Sequence, residues 1–288
     1  MSMTAPEKRN GSGEMQRADE SSDPSAASPR SEASARVALI TGAGKRVGAA
    51  IARHLHHRGL SVAVHYRRSA DSANALVRDL DDVRPGSAAA FEGDLVEPSI
   101  PARIVDKTVE RFGALDLLIN NASAFYPTPV GGADEDQWNE LMGTNLKAPY
   151  FLTQAAAPFL AARQGSIVNL VDIHGRAPIP DHSIYCAAKA GLIMLTRALA
   201  LDLGPSVRVN AVAPGIVLWP QTETPQAQAQ EEEAAEQRRR ILESVPLRRQ
   251  GTVLEVAMAV AWLALDAPYT TGQIIAVDGG RGIGGAPC

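Results

Sequence analysis

The chain has 288 residues, of which 45% are hydrophobic and 5% aromatic, with a formal net charge of −4. That balance excludes a generally basic nucleic-acid binder, and no run approaches the roughly 18 uninterrupted apolar residues of a membrane span. Two cysteines, Cys186 and Cys288, form neither a disulfide framework nor a metal-ligand spacing, so a reduced, cytoplasmic chain is expected.

Residues 1–35 are rich in Ser, Ala, Glu, Arg and Pro and have no apolar run. Such a segment cannot offset its ordering entropy and reads as a disordered N-terminal extension without the apolar stretch of a secretory signal. A single domain is expected over 36–288. It opens with a buried strand, Val37–Ile40, a turn over Thr41–Gly48 and a helix over Ala49–Arg58. In that turn Gly42 permits the tight bend, Gly48 lets the helix pack closely, and Lys45, Arg46 and Val47 lie between them. Backbone N–H groups and the helix dipole then face an anion. A second strand, Ser61–Tyr66, completes a βαβ unit.

A site built for NAD usually carries an acid after this strand, on the ribose 2′-hydroxyl. Here the residues are His65, Tyr66, Arg67, Arg68 and Ser69, with no acid until Asp71. Lys45, Arg46, Arg67 and Arg68, with the Ser69 hydroxyl, suit a 2′-phosphate and predict NADPH over NADH. A solvated basic turn is the competing reading.

A third strand over Ala88–Leu95 ends at Asp94 and Leu95, where Asp94 is a candidate for an adenine amino group. A helix over Ile100–Phe112 and a strand over Leu115–Ile119 follow, closing on Asn120, Asn121, Ala122 and Ser123. Small residues there permit a flat ligand to approach and Asn121 to bridge backbone groups; a plain Asn/Ser turn explains the same stretch. Phe125 and Tyr126 stand in a Pro-rich loop, as a stacking wall for a planar ligand or as packing for a neighbouring helix. A long helix over Trp138–Arg163 carries Asn145 among apolar residues, either holding a water joined to Lys189 or capping nearby backbone.

The reaction centre is expected at the next strand and helix, Ser166–Asp172 and Ser183–Leu203. Tyr185 and Lys189 share a helix face, and the lysine charge favours the phenolate and lowers the tyrosine pKa. A solvated helix face is the bland alternative. Asp172 ends the strand, either as a proton relay or as a cap for the following turn. A strand over Val207–Gly215 ends in Pro214 and Gly215, able to approach a carboxamide. An insertion over 216–251 begins apolar with Leu218 and Trp219 and turns Glu- and Arg-rich, which suggests a lid with a solvated helix. A helix over Val253–Asp266 and a strand over Gln273–Gly280 complete an α/β, doubly wound, Rossmann-type parallel sheet of about seven strands.

From Arg36 to Gly280 the sequence resembles the short-chain dehydrogenase/reductase family, through the Thr-Gly loop, Asn120-Asn-Ala, Asn145, Tyr185-x-x-x-Lys189 and Pro214-Gly215. Within it the pattern is similar to pteridine reductases: Thr41-Gly-Ala-x-Lys-Arg-x-Gly48, His65-Tyr-x-Arg-Ser69, Asn121-Ala-Ser-x-Phe-Tyr-Pro-Thr-Pro129 and Asp172. The resemblance implies Tyr185 as proton donor, Lys189 on the nicotinamide ribose, Asn145 in the proton relay and Phe125 against a pterin. It also implies Arg46 and Ser123 in contact with pterin or cofactor phosphate, and a homotetramer. Most members carry Ser where Asp172 stands. A hydroxyl there can donate to a developing alkoxide, whereas a carboxylate repels it, so Asp172 suits protonation of nitrogen. The expected activity is NADPH-dependent reduction of dihydropterins, with dihydrofolate as a further candidate substrate. A ketone or 3-oxoacyl reductase is the alternative, and a non-catalytic NADPH-binding sensor is a further one.

Overall fold

The computed structural model describes residues 35–217 and 231–283. The first half runs β1 (Val37–Ile40), α1 (Arg46–His57), β2 (Ser61–Tyr66), α2 (Ala70–Val83), β3 (Ala88–Glu92), α3 (Ile100–Phe112) and β4 (Leu117–Asn120). It continues with α4 (Glu135–Met142), α5 (Ala148–Ala162), β5 (Ser166–Leu170), α6 (Ser183–Leu203) and β6 (Arg208–Pro214). Then come α7 (Glu231–Glu243), α8 (Val253–Ala261) and β7 (Ile274–Val277). The strands form one sheet in the order β3-β2-β1-β4-β5-β6-β7, all neighbours parallel. The chain works outward from β1 to β3 and then returns to β4 beside β1. That reversal opens a crevice at the C-terminal ends of β1 and β4.

Period-two alternation explains why the strands are apolar throughout. Ala38, Ile40, Val62, Val64, Leu117 and Ile119 face one core with α1, α2 and α8. Leu39, Ala63, Leu118 and Ile167 face the other, with α3, α5 and the C-terminal part of α6. Each large side chain buried completely here stabilises the fold by about 1.5–3 kcal/mol.

β1, β2, α3 and α6 fall on their expected bounds. β3, β5 and β6 end earlier because Asp94, Asp172 and Gly215 leave the ladder to border the crevice, whereas β4 starts two residues later than expected and ends one later, at Asn120. α2, absent from the elements expected above, buries Ala73, Leu76 and Leu80 at helical spacing. The long helix expected over Trp138–Arg163 divides into α4 and α5 around a π turn, Gly143–Lys147. α7 is the expected charged helix, with exposed Arg239–Glu236 and Arg240–Glu236 pairs that contribute little stability. Residues 1–34 and 218–230, with Leu218 and Trp219, lie outside the described residues, as does the rest of the expected lid's apolar start after Val217. α6 alone among the described helices is long and apolar enough to cross a membrane, yet 56% of its most apolar stretch is buried in this protein.

Candidate active site

The switch-point crevice is built by backbone that only small residues permit. Gly42 has φ of 61°, and a Cβ there would lie 2.9 Å from the Ala122 Cα. A Cβ on Gly48 would lie 2.5 Å from Asn121 Nδ2 and 2.6 Å from the Gly42 carbonyl. Close approach of the two loops lets Asn121 Nδ2 donate to the carbonyls of Thr41 (2.8 Å) and Gly42 (3.1 Å). The Thr41 hydroxyl in turn accepts from the N–H groups of Asn121 and Ala122. Asn121 therefore bridges backbone, as its sequence position proposed.

A cleft of about 450 Å³ runs along these loops. Gly42, Lys45, Arg46, Val47 and Gly48 line one end, with His65, Arg67, Ser69, Asp94 and Leu95 beside them. Asn121 and Ala122, packed against the glycine turn, line the cleft too, as do Ser123, Pro214 and Gly215. Arg46 has φ of 56°, a left-handed conformation that costs a non-glycine residue about 1–2 kcal/mol, at the turn that opens α1. Gly215 packs so close to β7 that a Cβ would lie 2.7 Å from the Asp278 Cα.

Of the expected ribose-site residues, His65 lines the cleft without a charge, and Tyr66 and Arg68 stand outside the lining. His65 is buried, accepts the Gly42 N–H at Nδ1 (3.2 Å) and donates from Nε2 to the Gly93 carbonyl (3.0 Å). Burial holds its pKa down to about 4, so it is a neutral brace for the loop, not a charge. Tyr66, next along the strand, points to the opposite face and is buried in the apolar core. Arg68 is exposed and stands outside the cleft lining. Arg67 does face the cleft, but its Nη2 donates to Glu140 (2.9 Å), and its Nη1 is 3.7 Å from Asp94.

Beyond Ser123 lies the reaction centre, which borders the cleft without belonging to its lining. The Tyr185 hydroxyl donates to Asp172 Oδ2 at 2.7 Å. Asp172 Oδ1 accepts the His174 N–H (2.8 Å), capping a short 3-10 turn, Ile173–Gly175. The carboxylate thus does both things open to it from sequence, one with each oxygen. Lys189 is buried, donates to the Leu170 carbonyl (2.9 Å), and lies 5.7 Å from the centre of the Tyr185 ring. Burial pushes its pKa down to about 8, with Asp172 opposing.

The expected lowering of the tyrosine pKa by Lys189 does not occur here. Burial first, and then the charge of Asp172 and the bond to it, push the Tyr185 phenol up. Ser123 works weakly against them. Tyr185 therefore holds its proton, aimed at Asp172.

Asn145 is fully buried in the π turn between α4 and α5. Its Nδ2 donates to the carbonyls of Ala124 and Leu141, both at 2.9 Å, and its Oδ1 accepts the Ser123 hydroxyl at 2.6 Å. The side chain caps backbone and orients Ser123. A π turn makes this possible by displacing one residue from the regular helical ladder. Phe125 is 53% exposed, meets Tyr185 edge-on at 4.8 Å and stacks on His182 at 4.7 Å. Tyr126 is no second exposed wall: its hydroxyl donates to Glu140 (3.0 Å) and its ring packs near Leu141 and Ile179. Glu140 and His182 carried no signal in the sequence, because their partners are distant in the chain.

A parallel sheet with a glycine-laced turn at its switch point, and Tyr185, Lys189 and Asn145 gathered beside it, defines the class: a Rossmann-type dinucleotide-dependent oxidoreductase. Residues 42–281 match the family model described as enoyl-(acyl carrier protein) reductase. The chain is 35% identical to the 3-oxoacyl-(acyl-carrier-protein) reductase FabG of Staphylococcus aureus, over 84% of this chain and 96% of the relative. It is 37% identical both to the granaticin polyketide synthase putative ketoacyl reductase 2 of Streptomyces violaceoruber and to pteridine reductase 1 of Leishmania tarentolae, each over 85% of this chain and 96% of the relative. The chain belongs to the short-chain dehydrogenase/reductase family, whose members use NAD(P)H.

Proposed function

We propose that this protein is an NADPH-dependent reductase of dihydropteridines, dihydrobiopterin-like compounds with dihydrofolate as a further candidate, acting on a C=N bond. The observation that carries the reading is the Tyr185 hydroxyl donating to a carboxylate, Asp172, at 2.7 Å. A carboxylate facing an alkoxide as it forms raises the barrier, whereas beside ring N–H groups it accepts hydrogen bonds and passes on a proton. The glycine cradle of Gly42 and Gly48 fits a pyrophosphate, and Lys45, Arg46, Arg67 and Ser69 in the same cleft would hold a 2′-phosphate. When bound, the nicotinamide supplies hydride to the substrate carbon. Lys189 would hold its ribose, Tyr185 delivers the proton to nitrogen, Asp172 sets the direction of that proton, and Phe125 covers the substrate ring.

The second reading, a 3-oxoacyl or ketone reductase, is favoured by the FabG and ketoacyl reductase relatives, whose 35% and 37% identity is similar to that of the pteridine reductase. NADPH and NADH oxidation followed at 340 nm with dihydrobiopterin, dihydrofolate and a β-ketoester separates them. We expect pterin turnover with kcat/KM at least about tenfold higher for NADPH, the scale of one charge-assisted contact. Brisk ketoester turnover with inert pterins overturns the reading. A retained fold that turns over nothing supports the sensor alternative.

We further propose a cytoplasmic homotetramer. An apolar groove formed by Leu146, Tyr150, Phe151, Met194 and Leu195 crosses α5 and α6, with Met194 61% exposed. Apolar surface of this kind marks an association face. Light scattering is expected to give four copies for the wild type and smaller species for Met194→Asp; an unchanged mass removes this face from the assembly.

A further inference from the structure

Between the cofactor's ribose end and the substrate loop lies a side-chain bridge centred on Glu140, which has no role in the reading above. Glu140 on α4 accepts from Arg67 Nη2 with Oε1 (2.9 Å) and from the Tyr126 hydroxyl with Oε2 (3.0 Å). Arg67 lines the cofactor cleft. Tyr126 follows Phe125, the residue against Tyr185. One carboxylate therefore holds a group from each subsite, with one oxygen assigned to each.

We propose that Glu140 is a positioning residue that couples the two subsites, so that a 2′-phosphate on the cofactor tightens the grip on the substrate. The inference rests on the NADPH reading. Arg67 has five N–H donors, so its guanidinium can hold Glu140 and a phosphate at once. A phosphate that shares the guanidinium charge leaves Glu140 less neutralised and its Oε2 a stronger acceptor for the phenol. The Tyr126 hydroxyl is a donor throughout the working range: burial, then Glu140, push its pKa up to about 12. Firmer anchoring of Tyr126 fixes Phe125 next to it.

α4 is stiff enough to transmit this. A reciprocal capping box between Asp134 and Gln137 fixes its start. Its last turn is tied to the reaction centre, because the Leu141 carbonyl accepts from Asn145. Glu140 and Arg67 side chains are only about one-third exposed, 34% and 32%, which sets this bridge apart from the solvated pairs on α7.

The test uses dead-end complexes, which need no turnover. The Kd of dihydrobiopterin is measured by calorimetry on the full-length protein saturated with NADP+ or with NAD+. The wild type is expected to bind the pterin about fivefold more tightly with NADP+, the low end of typical coupling between sites. Glu140→Gln and Tyr126→Phe, which keep size and ring packing, are expected to bring the ratio within about twofold of one. A wild-type ratio of one, or an unchanged ratio in both variants, overturns the proposal. A merely structural role weakens binding equally with both cofactors and leaves the ratio intact. If only the β-ketoester binds, the pterin reading falls, and the ratio is read on that ligand instead. Equal affinity for NADP+ and NAD+ themselves sinks the NADPH reading and the coupling together.

Discussion

Asp172→Asn is expected to lower kcat by about 100-fold or more, with the Kd for NADPH changed by less than about threefold. General acid–base catalysis contributes roughly 10²–10⁴-fold, and the carboxylate is the group that the Tyr185 proton already points toward. Asparagine keeps the shape and still accepts the His174 N–H, so the turn-capping role survives while the charge goes. The pH profile separates these roles. Burial is the first cause of the low Lys189 pKa near 8, and the Asp172 charge opposes it by raising that value. The lysine cation, the form able to donate to ribose hydroxyls, is present below that pKa and lost as pH rises through it. Removing the Asp172 charge lowers the Lys189 pKa, so the alkaline limb of kcat/KM moves to lower pH in the variant. Near-wild-type turnover with an unshifted limb makes Asp172 only a cap.

The sheet and the catalytic positions were legible because they follow local rules. Apolar runs of four to seven residues between helices, a glycine turn after the first and a tyrosine four residues before a lysine need no knowledge of distant contacts. What escaped depends on tertiary pairing. His65 reads as a ribose-site residue until its burial, and the Gly42 N–H donated to its ring, show it to be a neutral brace for the loop. Tyr66 and Arg68 flank a true lining residue, but strand alternation sends one into the core and the turn sends the other to solvent. The direction of the Tyr185 pKa depends on tertiary pairing too: helical spacing shows that Lys189 is near, but not that Asp172 is nearer to the hydroxyl and that the ring is buried. Glu140 had no local mark at all; its partners lie 73 residues before it and 14 residues before it.

Tyr185→Phe is expected to lower kcat by about 1,000-fold, within the range spanned by loss of a general acid. The phenol is held above its ordinary pKa by burial and by Asp172, so it enters the reaction protonated at every working pH, as reduction requires. Phenylalanine keeps the ring that Phe125 meets edge-on and that lies over Lys189, so cofactor affinity and folding change little. The variant also asks which of the paired groups gives up the proton. If Tyr185 is the donor and Asp172 its orienting partner, the residual rate stays low and flat across pH, and Asp172→Asn on the Tyr185→Phe background adds little, since the two act as a unit. If Asp172 is the acid, Tyr185→Phe keeps a residual rate that the second substitution abolishes. A variant within about tenfold of wild type at all pH values removes Tyr185 from proton transfer and leaves it as a wall of the substrate site.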